Sequence, residues 1–151
     1  NTSAARHVAL ALQQALSLSD QRKKQLSVLD LCCGNGVVGY TLAKTQRLSK
    51  HVRVWSFDTP QALKVARQMA RDMGVTDRVE FIEGDVAAKP LADLGGPYDL
   101  VLVGPNLLSG CDAEHAAELL ERVSDALKST GRVVLNETLA GGDLTAYSQL
   151  Y

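Results

Sequence analysis

The chain has 151 residues, 46% hydrophobic and 22% charged, with a net charge of −1 at pH 7. That is enough for one domain with a real core. The charge balance gives no reason to expect a nucleic-acid or membrane-surface partner, and no apolar run approaches the ~20 residues of a membrane-spanning helix. No secretory signal is visible, and the chain, which starts at Asn1, reads as a single domain (1–151) cut from a longer protein. Three cysteines, Cys32, Cys33 and Cys111, read as free thiols in a reducing cytoplasm. No His or second Cys pair stands at metal-ligand spacing, so no metal site is expected.

In chain order, residues 3–17 place Ala5, Val8, Ala9, Leu12 and Leu16 on one helical face. A polar link, 20–24, leads to a first strand at 27–33. A helix follows at 37–46 and a second strand at 52–57. Pro60 opens the next helix and Gly74 closes it after Met73. The third strand is expected at 78–82 and the fourth at 98–103. A helix from Asp112 to Lys128 turns Ala116, Leu119, Leu120, Val123 and Leu127 inward, and a fifth strand follows at 132–137. Such alternation predicts an α/β, Rossmann-like doubly wound parallel sheet, strand order 3-2-1-4-5, with ligand outside the strand C-terminal ends.

The ligand cradle is expected in Leu29-Asp30-Leu31-Cys32-Cys33-Gly34-Asn35-Gly36-Val37. This is a buried strand ending near an acid, then a glycine turn, then a helix start with unpaired N–H groups. Gly34, Gly36 and Gly39 fit the dinucleotide pattern G-x-G-x-x-G, with Asp58 about 20 residues on. Asp30 argues against a dinucleotide, because a carboxylate beside the turn repels a pyrophosphate. S-adenosylmethionine has no phosphate, and its ammonium and sulfonium are cations that suit an acid there.

The segment resembles motif I of the class I S-adenosylmethionine-dependent methyltransferases, with Cys32 where that family most often has its first glycine. Four further segments follow in the family's order. They are the strand ending at Asp58, Val79–Val86 with its Gly84-Asp85 pair, the strand Tyr98–Gly104, and Leu127–Glu137, which is similar to the family's "LKPGGRLVI-E". The resemblance implies S-adenosylmethionine as cofactor, bound by Asp30, Cys32, Gly34, Gly36, Asp58, Thr59, Gly84, Asp85, Val86 and Gly104. Asp58 would accept the ribose hydroxyls, and Asp85 would lie beside the adenine. The family's closing antiparallel hairpin has no counterpart in 138–151, so the fifth strand is expected near an open edge, with a homodimer as one way to cover it.

Phe57-Asp58-Thr59-Pro60 looks like the "DLP" segment of small-molecule O-methyltransferases, and Gly104–Glu114 is similar to their "N-V-L-H-H-F-D-A-E". Their basic His is replaced here by Ser109 and Gly110. A serine hydroxyl is no base near neutral pH, so that mechanism does not carry over. Asn106 and Ser109 are candidates to orient a small-molecule methyl acceptor. His7, His51 and His115 read as surface or half-buried residues. Trp55 reads as core, and Lys64, Arg67 and Arg71 as a solvated helix face. The expected function is methyl transfer to a small molecule. The alternatives are a non-catalytic binding or assembly module and, adversely to Asp30, a nicotinamide-dependent oxidoreductase.

Overall fold

The computed structural model describes residues 7, 8, 10–12, 25–45, 51–88, 93–105 and 107–136. Its elements are β1 (Leu26–Leu31), α1 (Val37–Lys44), β2 (Val52–Asp58), α2 (Pro60–Met73), a 3-10 turn (Thr76–Arg78), β3 (Val79–Glu83), β4 (Tyr98–Val103), α3 (Ala113–Asp125) and β5 (Leu127–Leu135). The five strands form one parallel sheet in the order β3-β2-β1-β4-β5. This is the expected Rossmann-like arrangement. The order reverses beside β1, the strand that leads into the glycine turn.

Both faces of the sheet are covered, which is why β1 and β4 are apolar runs rather than alternating ones. Val28, Val54, Leu100 and Leu102 pack on one face with Leu42 of α1 and Leu63, Ala66 and Ala70 of α2. Leu29, Leu31, Phe57, Val101 and Val103 pack on the other with Leu119 and Val123 of α3. The caps of α2 fix its length. The Thr59 hydroxyl accepts the Ala62 N–H, Pro60 opens the first turn, and Gly74 ends the helix at φ 68°.

Several boundaries differ from expectation, three of them for a visible reason. β1 stops at Leu31, because Cys32 takes φ 53° and turns the chain out of the sheet. α3 stops at Asp125 instead of Lys128. β5 begins at Leu127 instead of Arg132, because Tyr98 draws the chain into the sheet early. The Tyr98 N–H donates to the Ala126 carbonyl at 2.8 Å, and Tyr98 pairs with Leu127 before the register shifts to Leu100 with Arg132. Of the N-terminal helix, residues 7, 8 and 10–12 are helical, with Val8 and Leu12 buried against the first face. Ala5, Ala9 and Leu16 lie outside the described residues, as does 137–151, so the expectations about the missing hairpin and the edge have no structural counterpart here. Among the described residues no helix is long and apolar enough to cross a membrane.

Among the described residues two carboxylates are buried, at opposite ends of the sheet. Asp99, at the start of β4, is fully engaged. Its Oδ2 accepts the Ser27 N–H at 2.9 Å, the Ser27 hydroxyl at 2.8 Å and the Lys128 ammonium at 2.9 Å, and its own N–H donates to the Ser27 hydroxyl. Asp30, near the end of β1, is 4% exposed, and its Oδ2 has no hydrogen-bond partner. Burial pushes its carboxyl from the ordinary 3.8 up to about 7, the Gly39 N–H opposes this, and the Asp58 charge adds to it.

Replacing Asp99→Ala strands the Ser27 donors inside the sheet, and should cost about 2–3 kcal/mol in urea unfolding. Lys128→Met should cost far less, since that side chain is 41% exposed. Asp30 gives a pH signature. Between about pH 4 and pH 7 the folded chain holds a proton on Asp30 that the unfolded chain has released. The folded state binds more protons there, so this group makes stability fall as pH rises through that window and level off above it. Asp30→Asn should remove that slope, an effect on the order of a few kcal/mol, read by comparing unfolding of both chains at pH 5 and pH 7.5. Parallel pH profiles for the two chains would contradict the assignment.

Candidate functional site

The C-terminal edge of the sheet is bound together beyond the strands themselves. Cys33 N–H donates to the Phe57 carbonyl at 3.3 Å, Gly84 N–H to the Asp58 carbonyl at 3.0 Å, and Gly104 N–H to the Leu31 carbonyl at 3.1 Å. These bonds join the turns after β1, β2, β3 and β4 in a row. The row contains Cys32, Gly34, Gly36, Asp58, Thr59, Gly84, Asp85, Val86 and Gly104, nearly the whole of the expected cofactor set.

The turn after β1 is tight. The Gly36 N–H closes on the Cys33 carbonyl at 2.8 Å, and Gly36 caps α1 at φ 73°. A Cβ on Gly36 would fall 2.2 Å from the Tyr40 ring, so only glycine fits. Gly34 differs. A Cβ there would meet nothing within 4 Å, so its backbone faces open space at the mouth of the turn.

Asp58 joins this turn to the second strand end. Its Oδ2 accepts the Gly34 N–H at 2.9 Å and its Oδ1 the Thr59 N–H at 2.7 Å. Each oxygen keeps a second lone pair for a hydroxyl donor. Asp85 is exposed and closes its own turn, Oδ1 accepting the Ala87 N–H at 2.8 Å. Thr59 spends its hydroxyl on the α2 cap.

Asp30 does not face the mouth of the cradle. It has the pleat parity of Val28, which turns its carboxyl under α1, where a Cβ on Gly39 would lie 2.8 Å from Oδ2. Beside it the Tyr40 and Ser56 hydroxyls share a buried hydrogen bond of 3.0 Å. Sequence reasoning missed this pair, since nothing along the chain marks residues 40 and 56 as partners. Burial holds the Tyr40 hydroxyl above its usual range. The Cys32 thiol is pushed up to about 12 by burial and then by Asp58, and burial and then Asp30 raise Cys33 as well. Both thiols therefore stay protonated at neutral pH and are poor nucleophiles. Among the described residues no cluster of His, Cys, Asp or Glu has the makings of a metal site.

Of the two residues expected to orient an acceptor, Ser109 is exposed in the turn before α3, and Asn106 lies outside the described residues. Asp112 caps α3, its Oδ1 accepting the His115 N–H at 2.8 Å. His115 is neither surface nor half-buried. It is 7% exposed, with Nε2 2.8 Å from the Val86 carbonyl. Trp55 is half-buried, its ring edge-on to Tyr98. Lys64, Arg67 and Arg71 are exposed, as expected, although Arg67 also stacks over Phe81. A polar cleft of about 340 Å³ at the opposite end of the sheet, lined by Gln25, His51, Arg53 and Arg78, is a weaker candidate. Its cations are already engaged, Arg53 with Glu80 and Arg78 with the Ala43 carbonyl.

Comparison with known proteins agrees with this geometry. Residues 22–148 match the family described as a methyltransferase domain. The release factor glutamine methyltransferase of Chlorobaculum tepidum is 41% identical over 81 residues, covering 52% of this chain and 26% of that protein. The demethylmenaquinone methyltransferase of Lactiplantibacillus plantarum is 36% identical over 111 residues, 74% of this chain and 44% of that protein. The crystal structure of an O-methyltransferase candidate from Nostoc punctiforme PCC 73102 superposes with a TM-score of 0.72 at 29% identity, over 89% of this chain and 36% of that one. The chain thus spans less than half the length of each of these proteins. With a matching family over most of its length and a five-stranded parallel sheet, the chain belongs to the class I methyltransferase-domain family, and its structure is similar to that O-methyltransferase candidate.

Proposed function

We propose that this domain binds S-adenosylmethionine across the C-terminal ends of β1, β2 and β3 and directs its methyl group to a small-molecule acceptor. One observation carries the reading. Asp58 joins the open backbone at Gly34 to the neighbouring strand end while each of its oxygens keeps a free lone pair. That arrangement suits a ribose diol above a bare peptide edge. Asp85, exposed one strand further out, is available to the adenine side, with Gly84 and Val86 forming its turn. Cys32, Gly36, Thr59 and Gly104 shape the cradle through their backbones. Asp30 lies below the turn with its ionisation suppressed by burial, where its carboxyl meets the Gly39 N–H and supports α1.

When bound, S-adenosylmethionine supplies a methyl group already activated on a sulfonium. The chain's own part is then to hold an acceptor close and in line. With Ser109 and Gly110 where related enzymes have histidine, this loop contributes no basic group from those positions. Acceptors that arrive ionised, or that carry an amine or another ready nucleophile, fit best. Demethylmenaquinone methyltransferase among the relatives favours a small quinone-like or phenolic acceptor. The release factor enzyme, matched over half of this chain, keeps a protein amide in the panel to be assayed.

Calorimetry with S-adenosylhomocysteine tests the cofactor assignment. Asp58→Ala should weaken binding by about 1.5–3 kcal/mol, the range for hydrogen bonds to a charged group. An unchanged affinity would remove Asp58 from the site, and no binding by the unaltered chain would favour a non-catalytic module. In thermal-shift measurements S-adenosylhomocysteine should stabilise the chain more than a nicotinamide dinucleotide does, because the Gly34 N–H that a pyrophosphate would take is already held by the Asp58 carboxylate. The reverse order would overturn the cofactor class.

A further inference from the structure

His115 has no place in the cradle as described, yet it is buried between two segments that the cradle needs. Its Nε2 lies 2.8 Å from the Val86 carbonyl. A carbonyl only accepts, so Nε2 must carry the hydrogen. In the neutral ring Nδ1 is then bare, and Nδ1 is buried with no partner among the described residues. Leaving an acceptor unpaired is costly. An apolar side chain would fill the same space without that cost, but could not donate to Val86. The Val86 bond is therefore what the imidazole adds.

The two ends of that bond matter. Val86 follows Gly84-Asp85 directly, and its side chain packs in the same apolar cluster as Leu107 and Leu108. His115 stands in the first turn of α3, its backbone N–H held by Asp112 at the end of the acceptor-side loop. We propose that His115 is a positioning residue that pins the Asp85 turn to the start of α3, so that the adenine side and the 107–112 loop move as one unit. The benefit to ligand binding rests on the cofactor reading above, whereas the tether itself does not.

Two variants separate the effects. His115→Leu keeps the bulk and removes the donor. His115→Gln offers an amide N–H near the Nε2 position. Nitrogen NMR of the unaltered chain should find the His115 ring hydrogen on Nε2. Hydrogen exchange of the ligand-free chains should show the 84–88 amides opening about five-fold faster in His115→Leu, with β1 and β2 unchanged and His115→Gln close to the unaltered chain. S-adenosylhomocysteine should bind about five-fold more weakly to His115→Leu, with recovery in His115→Gln. A ring hydrogen on Nδ1, or unaltered exchange at 84–88 in His115→Leu, overturns the tether. Ligand binding that is equal in the Leu variant and the unaltered chain overturns its positioning role. Faster exchange at 84–88 in a chain that binds no S-adenosylhomocysteine supports the tether and removes the cofactor reading instead. Should the Leu variant not fold, the ring tautomer and the Gln variant still decide.

Discussion

The carboxylate of Asp58 is the point on which the C-terminal edge of the sheet depends. It takes one N–H from the glycine turn after β1 and another from Thr59, at the threshold of α2. A charged acceptor bonding to backbone donors is stronger than a neutral pair. Those bonds fix how far apart the two turns stand and which way the Gly34 peptide faces. Around them the carbonyls of Leu31, Phe57 and Asp58 take N–H groups from the neighbouring turns, and the strand ends become one continuous rim. The rim is built from the chain's own hydrogen bonds, and groups ordered by folding cost a ligand less to bind.

The two ends of the sheet are built differently. At the N-terminal end Asp99, Ser27 and Lys128 form a network in which the buried carboxylate is satisfied by a backbone N–H, a hydroxyl and an ammonium. At the C-terminal end Asp30 is just as buried, but one of its oxygens is unmatched and its ionisation is suppressed. Complete pairing at one end and a partly paired acid at the other is an asymmetry that supports the proposed placement of the ligand site at the C-terminal end.

Much of this was legible in the sequence, for physical reasons that differ by element. The inner strands were plain because burial on both faces leaves largely apolar runs, as in Leu100–Val103 of β4. The ends of α2 were plain because Pro60 and Gly74 act locally. The start of β5 was not, because Lys128-Ser129-Thr130-Gly131 reads as a helix tail and a turn, whereas its true path is set by pairing with Tyr98, a tertiary event. Asp30 was read as facing a ligand, but pleat parity with Val28 sends it beneath α1. His115 carried a signal that was passed over: it stands four and eight residues before Leu119 and Val123, on the buried stripe of α3. The Tyr40–Ser56 bond had no such signal, since each residue alone is compatible with many partners.

Cys32 sits at φ 53°, a left-handed conformation that a side chain with a Cβ adopts at a cost and that glycine would take freely. Its geometry is therefore imposed by its surroundings, among them the Gly104 N–H on the Leu31 carbonyl and the Cys33 N–H on the Phe57 carbonyl. A turn held in this way behaves like a latch under tension. The same bonds that hold Cys32 in this conformation also set where the Gly34 N–H stands relative to Asp58. The glycine turn and the strand ends beside it are thus mechanically linked, so that loosening at β2 or β4 is felt at the mouth of the cradle.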